Sequence, residues 1–362
     1  MKRNLLLALV LLAAAPAMAA PRLFLIKACE TPKGVVFHGG GYGGISGLDY
    51  DPRSGLWAFI SDDKSEHGPS HAFLGRLDVR PGKPCGPVLE TMIPLRREDG
   101  STFPDRKQGT EAADGEAIRF DPSSRDLVWA TEGDHDHGYP PSIRRMTRDG
   151  APQGRTVAPE SLTFQGDGAA GARKNATIEG LSWSADGRSL WFSMEWPLVQ
   201  DGPIPSVAEG GLTRLTRLDR AGAVVGQYAY RVDPVQVASP VGVNDNGVSE
   251  ILALDAHRLL VLERSAAKGR DGRYGYHIRL YLADTARAQD VSGIASLRAQ
   301  PVRPVDKRLL LNFDSLGLRI DNLEGLAWGP CLKDGGRTLV LTSDDNYDDN
   351  QINQILVFRF AP

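Results

Sequence analysis

The sequence predicts an all-β fold, a β-propeller built from four-stranded blades. Five segments of the 362-residue chain share one pattern at a nearly constant spacing, and each contains two short alternating apolar runs around a turn. The 40 glycines and 24 prolines favour many turns over long helices. A repeated unit of four strands at a regular period is typical of propellers.

Each of the five segments contains a polar residue near its start, which we call the anchor, and an acidic residue near its end, which we call the end acid. The segments begin at Gly43, Asp114, Thr177, Gly247 and Asn322. The anchors are spaced by 70, 63, 71 and 74 residues, and they are Ser46, Glu116, Glu179, Glu250 and Glu324. The end acids are Asp62, Glu132, Glu195, Glu263 and Asp344. The repeat therefore predicts five blades.

Both apolar runs of a segment are predicted to be strands. Leu181 and Trp183 in one run, and Leu190 and Phe192 in the next, alternate with small or polar residues at period two. Further strands follow each pair, and in the third segment they are predicted at 212–218 and 225–232. Each unit thus reaches four strands.

The two ends of the chain predict how the ring closes. The last segment supplies only three strands, at 323–328, 338–342 and 354–360, and an unassigned strand is predicted at 23–27. That N-terminal strand is expected to complete the last blade, which leaves no long exposed sheet edge. A sixth blade is the alternative, because the units are long and the segments 132–175 and 264–306 have room for more strands. A short helix is predicted at 284–297.

The first twenty residues are predicted to be a secretory signal peptide. Lys2 and Arg3 precede an apolar stretch at 5–15, and Ala17-Met18-Ala19 forms a small-x-small cleavage site. Residues 21–362 are then a single domain, located in the periplasm or secreted. No later segment is long and apolar enough to predict a membrane span.

Charge and cysteine content narrow the classes of function. A formal net charge of −3 argues against a nucleic-acid-binding protein, which needs a basic surface. The cysteines are Cys29, Cys85 and Cys331, so one disulfide with one thiol left over is expected, with the pairing open. The sequence does not define the oligomeric state.

Strand geometry predicts that the anchors and end acids meet at one mouth of the propeller. The first strand of a blade leaves one face and the second returns to it, so both kinds of residue share that face. Converging carboxylates must take up protons, pair with bases or bind a cation. Oxygen-only ligands suit Ca²⁺, and another divalent metal is possible. The alternative is that each Glu caps backbone amides of the neighbouring blade.

Several sequence blocks resemble a known family, the phytase-like domain of exported bacterial proteins described by esterase-like activity of phytase. The blocks are NATIEGL at 175–181, LWFSMEWPL at 190–198, LLVLERS at 259–265, DNLEGLAW at 321–328 and SDDNY at 343–347. The resemblance covers roughly residues 40–360 and implies a propeller related to the calcium-dependent propeller phytases.

The resemblance and the predicted mouth together favour an exported metal-dependent hydrolase of phosphate or carboxylic esters, with attack by metal-activated water. Lys64 and Arg264 are predicted to bind an anionic group of a small-molecule substrate, although Arg264 could instead form a structural pair with a carboxylate. Glu179, His135 and His137 are the candidate catalytic residues.

Other interpretations remain open at the sequence level. His135 and His137 alternate with two aspartates, which suits a transition metal or proton transfer, but a solvated polar loop explains the same spacing. A non-catalytic envelope propeller that binds a ligand or protein partner is the main alternative function. A metal-dependent lactonase is the other.

Overall fold

The computed structural model describes residues 21–166 and 168–361, and the predicted signal peptide at 1–20 lies outside these residues. The described chain forms five four-stranded antiparallel sheets and one two-stranded hairpin. Its helices are five short 3₁₀ turns: Arg106–Gln108, His135–His137, Glu160–Leu162, Val199–Asp201 and Phe313–Leu316. None of the helices in this part of the chain is long and apolar enough to cross a membrane.

The strands follow the chain blade by blade. A leading strand and a hairpin come first: β1 (Arg22–Glu30), β2 (Val36–Phe37) and β3 (Gly40–Gly41). Blade 1 contains β4 (Ile45–Asp51), β5 (Leu56–Ser61), β6 (His71–Arg76) and β7 (Val88–Pro94). Blade 2 contains β8 (Gly115–Phe120), β9 (Leu127–Thr131), β10 (Ser142–Met146) and β11 (Pro152–Val157).

The remaining three blades repeat this arrangement. Blade 3 contains β12 (Ile178–Trp183), β13 (Ser189–Met194), β14 (Gly211–Asp219) and β15 (Val224–Val232). Blade 4 contains β16 (Asn244–Ala253), β17 (Arg258–Lys268), β18 (Tyr274–Asp284) and β19 (Asp306–Asn312). Blade 5 contains β20 (Asn322–Gly329), β21 (Arg337–Asp344), β22 (Gln354–Ala361) and, as its fourth strand, β1.

The first strand of each blade forms an inner ring. Strand β4 contacts β8, β8 contacts β12, β12 contacts β16, β16 contacts β20, and β20 returns to β4. The predicted propeller is therefore confirmed, and the described chain holds five blades. The additional strands expected within 132–175 and 264–306 are the outer strands of blades 2 and 4.

A hydrophobic cluster fills each of the five junctions between neighbouring blades. At the junction of blades 5 and 1, for example, Trp57 and Phe59 pack in one cluster with Val340 and Val357. Burying each such side chain contributes about 1.5–3 kcal/mol. Stability thus comes from packing sheet against sheet around the ring.

The N-terminal strand closes the ring as predicted. Strand β1 pairs antiparallel with β22, from Arg22 opposite Ala361 to Glu30 opposite Gln354. A disulfide between Cys29 and Cys85 ties this strand to the loop between β6 and β7 of blade 1. The Lys27 ammonium donates hydrogen bonds of 2.6 and 2.9 Å to two backbone carbonyls of the same loop.

The helix predicted at 284–297 is wrong. Residues 285–305 form an irregular segment that follows the outer edge of blade 3. The amide of Val291 donates to the carbonyl of Gln227, and the amide of Leu297 donates to Asp201. Backbone groups that a helix would have paired internally are paired with blade 3 instead.

Candidate functional site

A β-bulge marks one residue in the innermost strand of every blade. The pairing register between the first two strands shifts by one residue at each of these positions: Ser46, Glu116, Glu179, Ser249 and Glu324. A bulge leaves its extra residue outside the ladder and redirects the side chain. These five residues are the structural anchors.

The end positions are equally regular. The end position is the residue, in the second strand or just beyond it, that lies opposite the position two residues before the bulge. The five end positions are Asp62, Glu132, Glu195, Arg264 and Asp344. Four of the five blades thus place an acid here. Blade 4 places Arg264.

The sequence-based alignment is therefore corrected in blade 4 by one residue at both positions. The bulge falls on Ser249, not Glu250, and the end position falls on Arg264, not Glu263. Blade 4 consequently brings a hydroxyl and a cation to the mouth, where the repeat predicted two carboxylates.

Glu250 lies inside the ring instead, in a fully buried pair with Arg119. The guanidinium of Arg119 is 2.5 Å from the Glu250 carboxylate and donates to the carbonyls of Leu48 and Ile118 at 2.7 and 2.8 Å. Glu250 also accepts from the amide of Leu181 at 2.8 Å. Arg119 also donates to a backbone carbonyl of blade 5, so the pair links the inner strands of all five blades.

Glu263 is buried between blades 3 and 4. It accepts hydrogen bonds from the Tyr230 hydroxyl at 2.8 Å and from the backbone amide of Asp233 at 3.0 Å. The Lys307 ammonium is 2.5 Å from its carboxylate. These contacts make Glu263 part of an interblade network and not of the mouth.

The remaining acids form a compact cluster at the mouth. One ligand oxygen of each of Asp114, Glu116 and Glu132 lies within 4.8 Å of the others, and the same holds for Glu132, Glu179 and Glu195. All five residues are buried. Glu132 belongs to both groups, so the two groups share one carboxylate.

Three more acids complete what we call the carboxylate mouth. Its eight acidic residues are Asp62, Asp114, Glu116, Glu132, Glu179, Glu195, Glu324 and Asp344. Sequence reasoning missed Asp114 as a member. Asp114 lies two residues before an anchor. Other blades have Gly44, Thr177 or Gly247 at the equivalent position, so an acid there was the signal in the sequence.

Burial and mutual repulsion shift the pKa values of these acids upward. Burial, with repulsion from Asp114, raises the pKa of Glu132 to about 8. Burial raises the pKa of Glu195 to about 7, although Arg264 opposes the shift. Burial and the neighbouring carboxylates also raise the pKa of Glu116 and of Glu179 well above the ordinary value. The ionised form of this cluster therefore needs a compensating charge.

Two cations of the chain compensate part of this charge. The Lys64 ammonium lies 2.6 Å from one oxygen of Asp114. Arg264 bridges two blades, because its two terminal nitrogens lie 2.6 Å from Glu195 and 2.5 Å from Glu324. Burial alone would lower the pKa of both bases, but the surrounding carboxylates raise it.

The compensation does not reach the centre of the carboxylate mouth. Glu116 and Glu179 are 8% and 7% exposed, and neither carboxylate accepts a hydrogen bond from any described residue. The second oxygen of Asp114 is buried and likewise lacks a partner among these residues. Unpaired oxygens crowded in a buried site fit a hard divalent cation such as Ca²⁺.

Backbone capping, the alternative that the sequence left open, holds for part of the set. Glu132 accepts a 2.7 Å hydrogen bond from the amide of Thr177 in the next blade, and Glu250 caps Leu181 in a similar way. Capping does not explain Glu116 or Glu179. Capping therefore accounts for only part of the set, and Glu132 both caps a neighbouring strand and belongs to the acidic cluster.

A cavity at the rim of the mouth carries basic groups. Its lining includes four basic side chains, Lys64, Arg106, His135 and Lys174, and four acids, Asp114, Glu132, Asp134 and Asp136. His135 packs edge-on against Phe164 at 4.9 Å. The Lys174 ammonium contacts Asp136 at 2.7 Å. Sequence reasoning missed Arg106, which lies in a loop with no repeat signal.

The two histidines of the 3₁₀ turn occupy different positions. His135 lines this rim cavity, whereas His137 does not. Nδ1 of His137 is 2.6 Å from Asp134, whose carboxylate also accepts from the amide of Ala112. Of the two, His135 has the better position for proton transfer at the mouth.

Comparison with solved structures finds similar chains of low identity. A thermostable family-43 glycoside hydrolase is 11% identical with a TM-score of 0.47, and the match covers 89% of this chain and 90% of that one. A mannose phosphorylase from Leishmania mexicana, in complex with phosphate ion, is 10% identical with a TM-score of 0.39, covering 92% and 88%. A putative glucose dehydrogenase from Thermus thermophilus is 17% identical with a TM-score of 0.35, covering 89% and 85%. Similarity at this level carries no argument about activity.

A comparison with curated proteins gives no match. The model of the phytase-like family, described as esterase-like activity of phytase, matches residues 40–347. That range contains all five bulge residues and all five end positions. The chain therefore belongs to the phytase-like family.

Proposed function

We propose that this protein is an exported, metal-dependent hydrolase of phosphate or carboxylic esters that acts at the carboxylate mouth. The observation that carries the proposal is the crowding of Asp114, Glu116 and Glu179: one Asp114 oxygen is buried without a partner, and neither Glu carboxylate accepts a hydrogen bond from the described residues. Membership of a family described by esterase-like activity supports the reaction class.

The chain offers two adjoining groups of ligands for the metal. Asp114, Glu116 and Glu132 form one group, and Glu132, Glu179 and Glu195 form the other. A bound Ca²⁺ would supply an activated water and would stabilise negative charge on the ester oxygens. The oxygen-only donor set favours calcium over softer metals.

The basic residues of the rim cavity are assigned to the substrate and not to the metal. Arg106 is placed to attract an anionic group of the substrate toward the mouth, and Lys64 and Lys174, which pair with Asp114 and Asp136, add positive charge to the same cavity. His135 is placed to give or accept a proton there. Arg264 is less suited to substrate binding than the sequence predicted, because both of its terminal nitrogens are engaged by Glu195 and Glu324. Its contacts favour the structural pair.

The disulfide supports the proposed export. Cys29 and Cys85 are bonded to each other, and structural disulfides persist in oxidising compartments such as the periplasm or the extracellular space. The signal peptide predicted at 1–20 would direct the chain to export.

Metal analysis and a hydrolase assay test the proposal together. We expect purified protein equilibrated with calcium to retain it stoichiometrically, and to hydrolyse 4-nitrophenyl phosphate or 4-nitrophenyl acetate. Chelation and Glu179→Gln should each reduce hydrolysis at least about 100-fold. Glu209→Gln is the matched control, because Glu209 is exposed and outside the mouth.

Two outcomes would contradict the proposal. Calcium binding without hydrolysis of either ester would favour the non-catalytic propeller, in which the carboxylates hold a structural ion. Hydrolysis that survives both chelation and Glu179→Gln would place the chemistry elsewhere. A lactone in the same substrate panel tests the lactonase alternative.

A further inference from the structure

A second cavity lies beside the carboxylate mouth and has a different character. It has a volume of about 310 Å³, and we call it the side groove. Its lining combines valine and aromatic side chains with glycines and three charged residues: Val35, Val36, Tyr42, His67, Tyr347, Lys33, Asp345 and Asp349. Val36 is 69% exposed. The groove therefore offers apolar surface next to a strongly acidic site.

An aromatic wall separates the side groove from the mouth. The rings of His67 and Tyr347 stack with centroids 4.2 Å apart and an angle of 15° between their planes. The same two residues line a neighbouring cavity that contains Asp62 and Lys64. The wall thus borders both the groove and the cavity that contains Asp62 of the mouth.

Hydrogen bonds fix the wall in place. The Tyr347 hydroxyl lies 2.9 Å from the hydroxyl of Ser61, the residue before Asp62, and it donates to the carbonyl of Gly41 at 3.3 Å. The backbone amide of Tyr347 donates to Asp345 at 3.3 Å. The ring is therefore held at both ends.

The backbone that carries this tyrosine is strained. Asn346 and Tyr347 are consecutive non-glycine residues in the left-handed region, with φ of 47° and 51°. Non-glycine residues rarely adopt this conformation, and strain of this kind clusters at functional sites. This backbone conformation places the Tyr347 ring at the mouth.

The glycines opposite the ring allow its close approach. A Cβ atom on Gly43 would lie 2.9 Å from the Tyr347 ring, and one on Gly44 would lie 2.7 Å from that ring and 2.1 Å from the Asp62 carboxylate. Side chains at these positions would push the ring and the carboxylate away. The glycine segment therefore keeps the wall and the acidic site in direct contact.

We propose that the side groove binds the aryl group of an aryl ester whose acyl or phosphoryl group lies at the carboxylate mouth. The inference rests on the proposed function and specifies its substrate class. An aryl group suits the groove because it can stack on the aromatic wall. The volume is sufficient, since a dry cavity of about 150 Å³ accommodates benzene.

Hydrolysis of such an ester is balanced by one water molecule. The bond between the acyl carbon or the phosphorus and the aryl oxygen breaks, water supplies hydroxide to the acid, and a proton goes to the aryl oxygen. The phenol or naphthol product remains in the side groove until it dissociates. Product binding is therefore a second property that the groove predicts.

The test compares two esters of one acid, 2-naphthyl acetate and methyl acetate, with a phosphate pair in parallel. Gly41→Leu fills the groove, and its Cβ would lie 3.4 Å from Tyr347, an ordinary contact. We expect the ratio of kcat/KM for the naphthyl ester to that for the methyl ester to fall about tenfold or more. Gly293→Leu, where a Cβ meets no atom within 4 Å, should keep the wild-type ratio.

Binding of 2-naphthol, measured by its fluorescence without metal, separates this inference from the proposed function. The affinity should fall about tenfold in Gly41→Leu. Tyr347→Ala tests the wall independently if the leucine variant does not fold, and it should weaken binding to a similar extent. A wild type that binds 2-naphthol but hydrolyses no ester would refute the proposed function and leave the groove assigned. Unchanged naphthol binding in both variants, or equal losses on both esters, would overturn the inference.

Discussion

Arg264 occupies the end position that holds an acid in the other four blades, and its replacement gives a sharp test of the site. Arg264→Gln removes the cation that bridges Glu195 and Glu324, while the shorter amide side chain stays polar. The Arg264 side chain is 17% exposed, and those of Glu195 and Glu324 are 2% and 7% exposed. The two carboxylates are then left without their shared partner.

The structure sets the size of the effect. Removing one partner of a buried ion pair costs about 3–5 kcal/mol, because the remaining charge is uncompensated. Unfolding entropy is roughly 2.1 cal/mol/K per residue, so for a chain of this length Tm should fall by about 4–7 °C. The loss applies to the metal-free protein at pH 8, where Glu195, with a pKa of about 7, is ionised.

Calcium should recover much of this loss. An ion present at 100 times its dissociation constant stabilises the folded state by about 2.7 kcal/mol. We expect calcium to raise Tm more in Arg264→Gln than in the wild type, because the ion takes over compensation of Glu195 and Glu324. Arg264→Glu, which restores the acid of the repeat, should bind one more calcium ion per chain.

Thermal melts with calcium and with chelator provide the assay. Arg287→Gln is the matched control: the Arg287–Asp306 pair is 71% and 52% exposed, and such pairs contribute about 1 kcal/mol or less. A metal-free Arg264→Gln protein with the same Tm as the metal-free wild type would refute the argument. So would a calcium response that is the same in both proteins.

Two further predictions concern stability. The metal-free protein should melt at lower temperature as pH rises from about 5 to 8, because Glu132 and Glu195, with pKa values of about 8 and 7, keep protons that the unfolded chain releases near its ordinary value of about 4.5. Saturating calcium should remove this trend, and melts at three pH values with and without chelator would show whether it does. Cys29→Ala opens a link between residues 56 apart in sequence and should cost about 4 kcal/mol, measured by urea unfolding. A variant as stable as the oxidised wild type would show that the disulfide does not constrain the unfolded chain.

The sequence was sufficient for the architecture, because spacing and alternation report directly on strands. It was not sufficient for register. In the fourth segment, Ser249 and Glu250 are adjacent polar residues, and only the pairing of Val248 with Glu263 shows which of them is bulged. A shift of one residue sends a side chain to another environment. Glu250 accordingly pairs with Arg119 inside the ring.

Other parts of the site depend on contacts between distant segments. Arg106 reaches the rim from the loop between β7 and β8, where the sequence carries no repeat signal. The stack of His67 on Tyr347 joins the two ends of the repeat array. No local pattern encodes either contact. The irregular segment at 285–305 shows the same limit, because its amides are satisfied by blade 3.

The pairing of β1 with β22 has a consequence for how the protein is made. The strand that begins at Arg22 is synthesised early, but its partner, which ends at Ala361, follows more than 300 residues later. At roughly 5–20 residues per second, the first strand waits tens of seconds for the last. During that time the strand of blade 5 that pairs with β1 has not been made. For most of it, the nascent chain also lacks Glu324 and Asp344. The mouth therefore receives its last two carboxylates late, whereas the candidate ligand groups of blades 2 and 3 are already complete in sequence at Glu195.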